Sequence, residues 1–390
     1  GGAVTLGPTP EPGFEMLQRL ARLNPDGKGN EREALQALAG VYGLFRASGV
    51  AETRVGLTRM TSKDPAARFT GQARDLVMRD MRDGRIGLLA ADDIEGRGDR
   101  GGDFRMARIE LAGFDVAATT DALIAIAKEP ARLESLNPAM VIPQLDRFAL
   151  RDLVVTTPNP ARRDDASATA RVSINEVRIE RAETKAQEAR VVRWSSAIER
   201  LRWSSAKDDP RFEAQRAFGY ENIDISWSMA TEWRPAESEF ALTEFALSGA
   251  GMGSASLKAK LGNVTEAIFT ADRKVAALAL LPVALKSTQL RLADAGLVDK
   301  YVAREAKKRK LKPAQVRQRL ARELAEALKA PPEGPAAKQV AKALGDFLRD
   351  SKAALTLNAT AEPGISAIDA VSAKPPTALW RRVKVETLRR

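Results

Sequence analysis

Residues 217–264 read AFGYENIDISWSMATEWRPAESEFALTEFALSGAGMGSASLKAKLGNV. Ile223, Ile225, Trp227 and Met229 alternate with Asn222, Asp224, Ser226 and Ser228. Successive side chains of a strand leave opposite faces, so this run has one oily and one polar face. EWRPAESE turns the chain. Phe240 and Leu242, then Phe245 and Leu247 after a one-residue slip, continue the oily face on a second strand. GAGMG turns it again, and Ala255, Leu257, Ala259 and Leu261 make a third. The stretch predicts an antiparallel meander with one greasy side.

The same period of two holds upstream. Val55 and Leu57 share one side of ETRVGLTRM, and RDLVMRDMRDGRIGLLAADDI follows with a turn at Asp83-Gly84. After a loop read over EGRGDRGGD, Phe104, Met106, Ile109, Leu111, Phe114 and Val116 mostly alternate, with one slip that suggests a bulge. A short helix is predicted from Thr120 to Arg132. The strand pattern restarts near Gln144, with Val172, Ile174, Val177 and Ile179 facing inward. Arg74-Asp75-Leu76-Val77 recurs as Arg151-Asp152-Leu153-Val154, consistent with duplicated hairpin units or with coincidence. RWSS occurs twice, from Arg193 and from Arg202, and reads as a helical or turn echo.

The ends are helical. Phe14, Leu17, Leu20 and Leu23, then Leu35, Leu38, Val41 and Phe45, recur at helical spacing, and Asn30 with Glu33 suits a capping box. Downstream of Leu261, strand-like sequence is read through Ile268 and again at LKSTQLRLA. From Asp294 the helical period returns, with stripes Val316-Leu320-Leu324-Leu328 and Val340-Leu344-Phe347-Leu348 on either side of PPEGP. A last strand, AALTLNATAE, and a tail, KPPTALWRRVKVETLRR, complete the chain. The expected fold is α+β: a large curved antiparallel sheet packed by helices, with a C-terminal helical hairpin. The expected domains are 1–48 (helical), 49–293 (β-rich meander with short covering helices) and 294–390 (basic helical hairpin, final strand and tail).

Composition closes much chemistry. The 390 residues contain no Cys and no His, which excludes disulfides, thiolate nucleophiles, imidazole acid–base work and the usual metal sites. Ser195, Ser196, Ser204 and Ser205 have no histidine to activate them. Gly96, Gly98 and Gly101 match a dinucleotide fingerprint in spacing, but a strand follows where a helix N-terminus is required. Asp26, Asn30 and Glu31 do not match calcium-loop spacing. The pairs Asp92-Asp93, Asp164-Asp165 and Asp208-Asp209 sit beside turn signals, where Asp serves local hydrogen bonding. We expect no catalytic residue, no metal, no cofactor and no enzyme activity. The five tryptophans read as core or rim fillers.

Net charge is +11, and it is concentrated near the C-terminus. Lys300 to Lys329 holds 11 Lys/Arg against 3 Glu, and Lys374 to Arg390 holds 6 against 1. Lys307, Lys308, Arg309, Lys310 and Lys312 are the candidate contacts to an anionic membrane surface or an acidic protein. The alternative is a solvated helix whose leucine stripe packs inward. Tyr301 is the only aromatic of that region, which argues against nucleic acid.

Residues Phe218 to Val264, with their Gly-Tyr lead, acidic turn, Gly-rich turn and SASLKAKLGNV, resemble envelope proteins of Gram-negative bacteria of the AsmA-like and YdgA-like type. The resemblance covers under half of the chain and supplies no catalytic residue, and the 390 residues contain no apolar run of the length expected of a membrane anchor. It implies a periplasmic location with a signal peptide already removed (a cytoplasmic one is the alternative) and contact with lipid. A long sheet does not leave its oily face in water, at about 25 cal/mol per Å². We therefore expect a groove between sheet and helices holding a lipid or another apolar ligand. Its candidate lining is Ile223, Ile225, Trp227, Met229, Phe240, Leu242, Phe245 and Leu247. The competing readings are that these residues are solid core, or that the chain is a structural module docking an acidic partner. The sequence leaves oligomeric state open.

Overall fold

The computed structural model describes residues 4–6, 48–62, 69–98, 101–128, 144–159, 169–186, 189–204, 209–270, 272–329, 335–373 and 376–389. The helices expected over residues 14–48, apart from Ser48, which opens a strand, lie outside them, as do the Asn30 cap and the Asp164-Asp165 pair. The fold is α+β, with a large antiparallel sheet. The chain divides into two compact units, one made mostly of residues up to Leu153 and the other mostly of those beyond it.

In the first unit β1 (Val4–Leu6), β2 (Ser48–Ser62), β3 (Phe69–Arg82), β4 (Arg85–Gly98) and β5 (Asp103–Asp115) pair antiparallel in chain order. Helix α1 (Ala117–Lys128) follows. The β3–β4 turn is at Asp83-Gly84, both at positive φ (52° and 81°), the geometry that suits the right-handed twist of a tight hairpin. Val50, Met81 and Ile86 form the buried centre, with Met78, Leu89 and Phe114 against them. Between β3 and β4 the register shifts once in each direction, beside Asp93 (φ 46°) on β4 and Asp75 (φ 47°) on β3. Two opposed bulges thus cancel, and the oily set stays on its face.

That detail explains the recurring Arg-Asp-Leu-Val. Asp152, on β6 (Arg147–Pro158), also has a left-handed φ of 52°. Asp tolerates this region better than most residues, so what the two copies share is a backbone kink within a strand. The glycine fingerprint is also resolved. Gly96 and Gly98 belong to β4, and the loop expected over 95–103 is shorter. The stacked rings of Phe69 and Phe104 lie over Gly96 where a side chain would stand. Gly96 is a seat for two aromatic rings on a strand.

Strand β7 (Thr169–Ala186) follows β6; its Ile179, expected inward, is half exposed. The second unit then carries β8 (Ala189–Ser204), β9 (Asn222–Arg234), β10 (Glu239–Gly249), β11 (Gly253–Gly262), β12 (Ala284–Asp294), β13 (Leu355–Ser366) and β14 (Val383–Arg389), again antiparallel and in order. Short helix α2 (Glu213–Ala217) precedes β9, and α3 (Arg273–Leu280) precedes β12. Three helices separate β12 from β13: α4 (Leu297–Arg309), α5 (Pro313–Lys329) and α6 (Pro335–Arg349). Helix α7 (Ala367–Ser372) and a 3-10 turn (Pro376–Arg382) join β13 to β14.

The slip read between Leu242 and Phe245 is a bulge at that point of β10. The hairpin glycine Gly253 has φ 129°, and a Cβ there would strike the Ala293 carbonyl, so only glycine fits. Four readings need correction. RWSS is a strand echo: the first copy and the described residues of the second (Arg202 to Ser204) lie on β8, Trp194 opposite Thr231 and Trp203 opposite Ile223. Nine residues on β8 span eight on β9 because Arg200 (φ 52°) lies at a bulge, so both indoles share a face. Residues 266–269 form a 3-10 turn, not a strand. Helix α3 was not anticipated. The C-terminal tail contains strand β14, whose Val383, Val385 and Thr387 alternate with Lys384 and Glu386 over too few residues to stand out.

Helix α7 shows how local chemistry positions these pieces. Ser366 Oγ accepts from the Asp369 backbone N–H, and Asp369 accepts from the Ser366 N–H at 2.8 Å, a reciprocal cap. Arg382 donates to the other Asp369 oxygen at 2.8 Å and reaches the Gly364 carbonyl, tying the turn before β14 to the end of β13. The Ser366 backbone and hydroxyl bonds, with Arg382, hold the Asp369 carboxyl down at about 2 from an ordinary 3.8. A depressed pKa adds stability that is complete above the ordinary value and disappears as pH falls through the folded one. Asp369→Asn should therefore lower the urea midpoint at neutral pH, and the gap to the parent should close between about pH 4 and pH 2. A gap independent of pH would assign the effect to something other than this carboxylate.

Candidate functional site

Strand register places the oily residues of the second unit in rows. One row runs Ile198, Trp227, Leu247, Ala255, Leu292, Leu355. The next runs Ser196, Met229, Phe245, Leu257, Leu290, Leu357. A third runs Trp194, Thr231, Leu242, Ala259, Thr288, Ala359, and Val192, Trp233, Phe240 and Leu261 lie beyond it. All eight candidate lining residues are thus on one face of β9 and β10. Sequence reading missed their neighbours on β8, because the bulge at Arg200 disguises the alternation of Trp194, Ile198 and Trp203.

The opposite face is polar and closed by ion pairs. Arg193 and Arg234 each reach Glu232 at 2.6 Å, and Arg202 reaches Asp224 at 3.0 Å. Burial disfavours the charge on Glu232 and Asp224, but these guanidinium partners outweigh it and hold both carboxyls below their ordinary range. This face needs no cover.

Two clusters cover parts of the oily face. On β12–β13, Ala343 and Phe347 of α6 pack with Leu355 and Leu357, joined by Leu290, Leu292, Val298, Val340 and Leu344. Near the turn end of β9 and β10, Val192, Trp233 and Val264 are buried with Trp194, Phe240, Leu261, Ile268 and Val283. The Trp233 indole donates to the Val264 carbonyl at 3.0 Å, and Phe269 lies 4.6 Å from its ring. Of the eight candidates, only Phe240 belongs to a cluster. Ile223, Ile225, Trp227, Met229, Leu242 and Phe245 are half-buried, and Leu247 is 43% exposed. They form a strip of partly accessible apolar side chains between two sealed regions.

The basic candidates have local partners. Lys307, Lys308 and Arg309 make up the last turn of α4, where cations complement the helix dipole. Lys310 is its left-handed cap, and the Lys312 N–H donates to the Gln315 side chain at the start of α5. Arg309 pairs with Glu305 at 2.9 Å. The inner sides of the two helices close on each other through Val302, Ala306 and Val316. At its other end α4 is fastened by Lys300 over the Tyr220 ring (3.4 Å) and Arg304 over Phe218 (4.3 Å), which gives the Phe-Gly-Tyr lead a structural role.

Of the acidic pairs, Asp92 and Asp209 have structural partners, and Asp208 lies outside the described residues. Asp92 is held by Arg108 at 2.8 Å, and Asp93 sits at a bulge. Asp209, fully buried, caps a 3-10 turn and is gripped by Arg211 at 2.6 Å, whose hydrogen bonds keep its carboxyl below the ordinary range. Among the described residues no three acidic side chains gather in a way suited to a metal ion, and no helix is long and apolar enough to cross a membrane.

A family model described as an uncharacterised protein matches residues 246–387, from the second half of β10 into β14. No curated protein matches the chain.

Proposed function

We propose that this protein is a non-enzymatic lipid-binding protein of the bacterial cell envelope, and that the apolar strip of β9–β11 carries an acyl chain or a similar molecule. The observation behind this is the half-buried run Ile225-Trp227-Met229 beside Phe245-Leu247 and Leu257, between the cover formed by α6 and the Trp233 cluster. Solid core would be buried like Val192 or Leu355, at 1% and 0%. An ordinary solvent face would be polar, like the reverse of the same strands. We read the sheet as curved and the helices after β12 as a hairpin cover at one side of the groove. The basic end of α4 as a dock for an acidic partner is the weaker reading, because helix capping accounts for its composition.

The test is carriage of lipid by gently purified protein, read by native mass spectrometry, together with displacement of a fluorescent fatty-acid probe. Phe245→Glu should weaken probe binding by at least about tenfold, the ratio that 1.4 kcal/mol produces, while circular dichroism stays unchanged. Protein that carries nothing and binds no probe would refute the reading, as would a variant that binds like the parent.

A further inference from the structure

Helix α3 enters β12 and helix α7 leaves β13, and these strands pair there, Ala284 opposite Ser366. The two short helices therefore project from the same end of adjacent strands, and the Ile368 N–H donates to the Leu281 carbonyl at 3.3 Å. What they present is unusual for a surface in water: Leu278 is 67% exposed, Val371 81%, Leu280 51% and Ile368 49%. Scattered exposed aliphatics need no explanation, but a cluster on two touching protrusions does.

Several exposed cations stand around this tip. Lys274 and Lys286 bracket the first protrusion, and Arg381 and Lys384 are exposed after the second. Lys384 pairs opposite Thr360 and Val383 opposite Ala361, which brings them to this end of β13. Acids stand among these cations: Asp369 is held by Ser366 and Arg382, Glu239 pairs with Lys286 at 3.5 Å, and Asp272 and Glu362 are exposed beside α3 and on β13. Protein interfaces favour aromatic anchors and are depleted in lysine. Exposed leucine, isoleucine and valine with lysine and arginine beside them instead match a bilayer interface, where aliphatic tips enter the acyl boundary and cations meet anionic headgroups.

We propose that the α3–α7 tip docks this protein on the surface of an anionic lipid bilayer. The site is separate from the basic end of α4, and the proposal stands whether or not the sheet face carries a ligand.

The experiment is co-sedimentation of the full chain with vesicles of phosphatidylcholine plus phosphatidylglycerol, beside vesicles of phosphatidylcholine alone. The parent should pellet with the mixed vesicles and much less with the neutral ones. Leu278→Glu/Val371→Glu should weaken that binding by at least about tenfold, and Lys274→Glu/Lys286→Glu should weaken it in a salt-dependent manner. Both aliphatic side chains are mostly in solvent, so the first variant should keep the parent melting curve and also its fatty-acid probe binding in vesicle-free solution. A parent that binds no probe yet pellets with the mixed vesicles, and loses that pelleting in the tip variant, would count against the ligand reading alone. Equal pelleting of parent and variant, or equal pelleting with neutral vesicles, would overturn the docking proposal. So would a parent dimer that the same substitutions split, because the tip would then be covered by a second copy.

Discussion

Trp233→Ala should lower the unfolding free energy of the second unit by about 3–5 kcal/mol, the range for deleting a buried aromatic ring. Trp233 is 5% exposed and joins three elements. Its ring stands in the row with Val192 and Phe240, its N–H satisfies the Val264 carbonyl after β11, and Phe269 closes over it. Alanine leaves a cavity and also strands a carbonyl acceptor, and the two costs act together. Trp233→Phe should cost less, since it keeps most of the ring volume and loses only the hydrogen bond. Urea denaturation followed by circular dichroism measures both. A loss below about 1 kcal/mol for the alanine variant, within the ordinary run of point mutations, would mean that this cluster does not hold the turn to the sheet.

Leu355→Ala should cost about 2–5 kcal/mol and should loosen α6 in particular. Leu355 is fully buried, opposite Leu292 on β12 and beneath Ala343 and Phe347. Helix α6 is polar on its outer side, so its place on the sheet depends on these contacts, with Arg317 bonding the Leu348 carbonyl at 2.7 Å as a secondary tie. Amide exchange across Pro335–Arg349 should accelerate well before exchange in β10–β12. Uniform acceleration through the unit would show that helix and sheet melt as one body; unchanged exchange in α6 would mean that the helix is held by other contacts.

The strands were legible because period two is written plainly in them. Ile223 to Leu261 shows both the meander and the position of its irregularity, since a skipped residue in an alternating pattern has few physical outcomes. The Asp83-Gly84 turn was legible for the same reason, because few residue pairs accept two positive φ values. Where the reading failed, local sequence carried two meanings. Trp194 and Trp203 are nine apart, which denies them a shared face until one residue is bulged out at Arg200. Leu278 and Leu280–Leu281 look like buried strand or helix in a composition average, and only the topology shows them on a projecting tip. For the candidate site, the oily face itself could be read from residues. Which part α6 covers could not, because that depends on a contact between Phe347 and Leu355 across a chain reversal.

The strands of the second unit from β8 to β12 are successive neighbours in the chain, but β12 must wait for β13 across about sixty intervening residues. Closing so long a span costs conformational entropy before any ladder bond repays it, although the cost grows only slowly with length. Helices α4, α5 and α6 shorten the effective gap if they form first, since helical segments settle in about a microsecond or less. Order of assembly would then run from hairpins, to helices, to the late capture of the final two strands. A chain emerging from the ribosome would hold an open β12 edge through that interval. On that order, the length of chain between β12 and β13 would set how long a sticky margin stays unpaired.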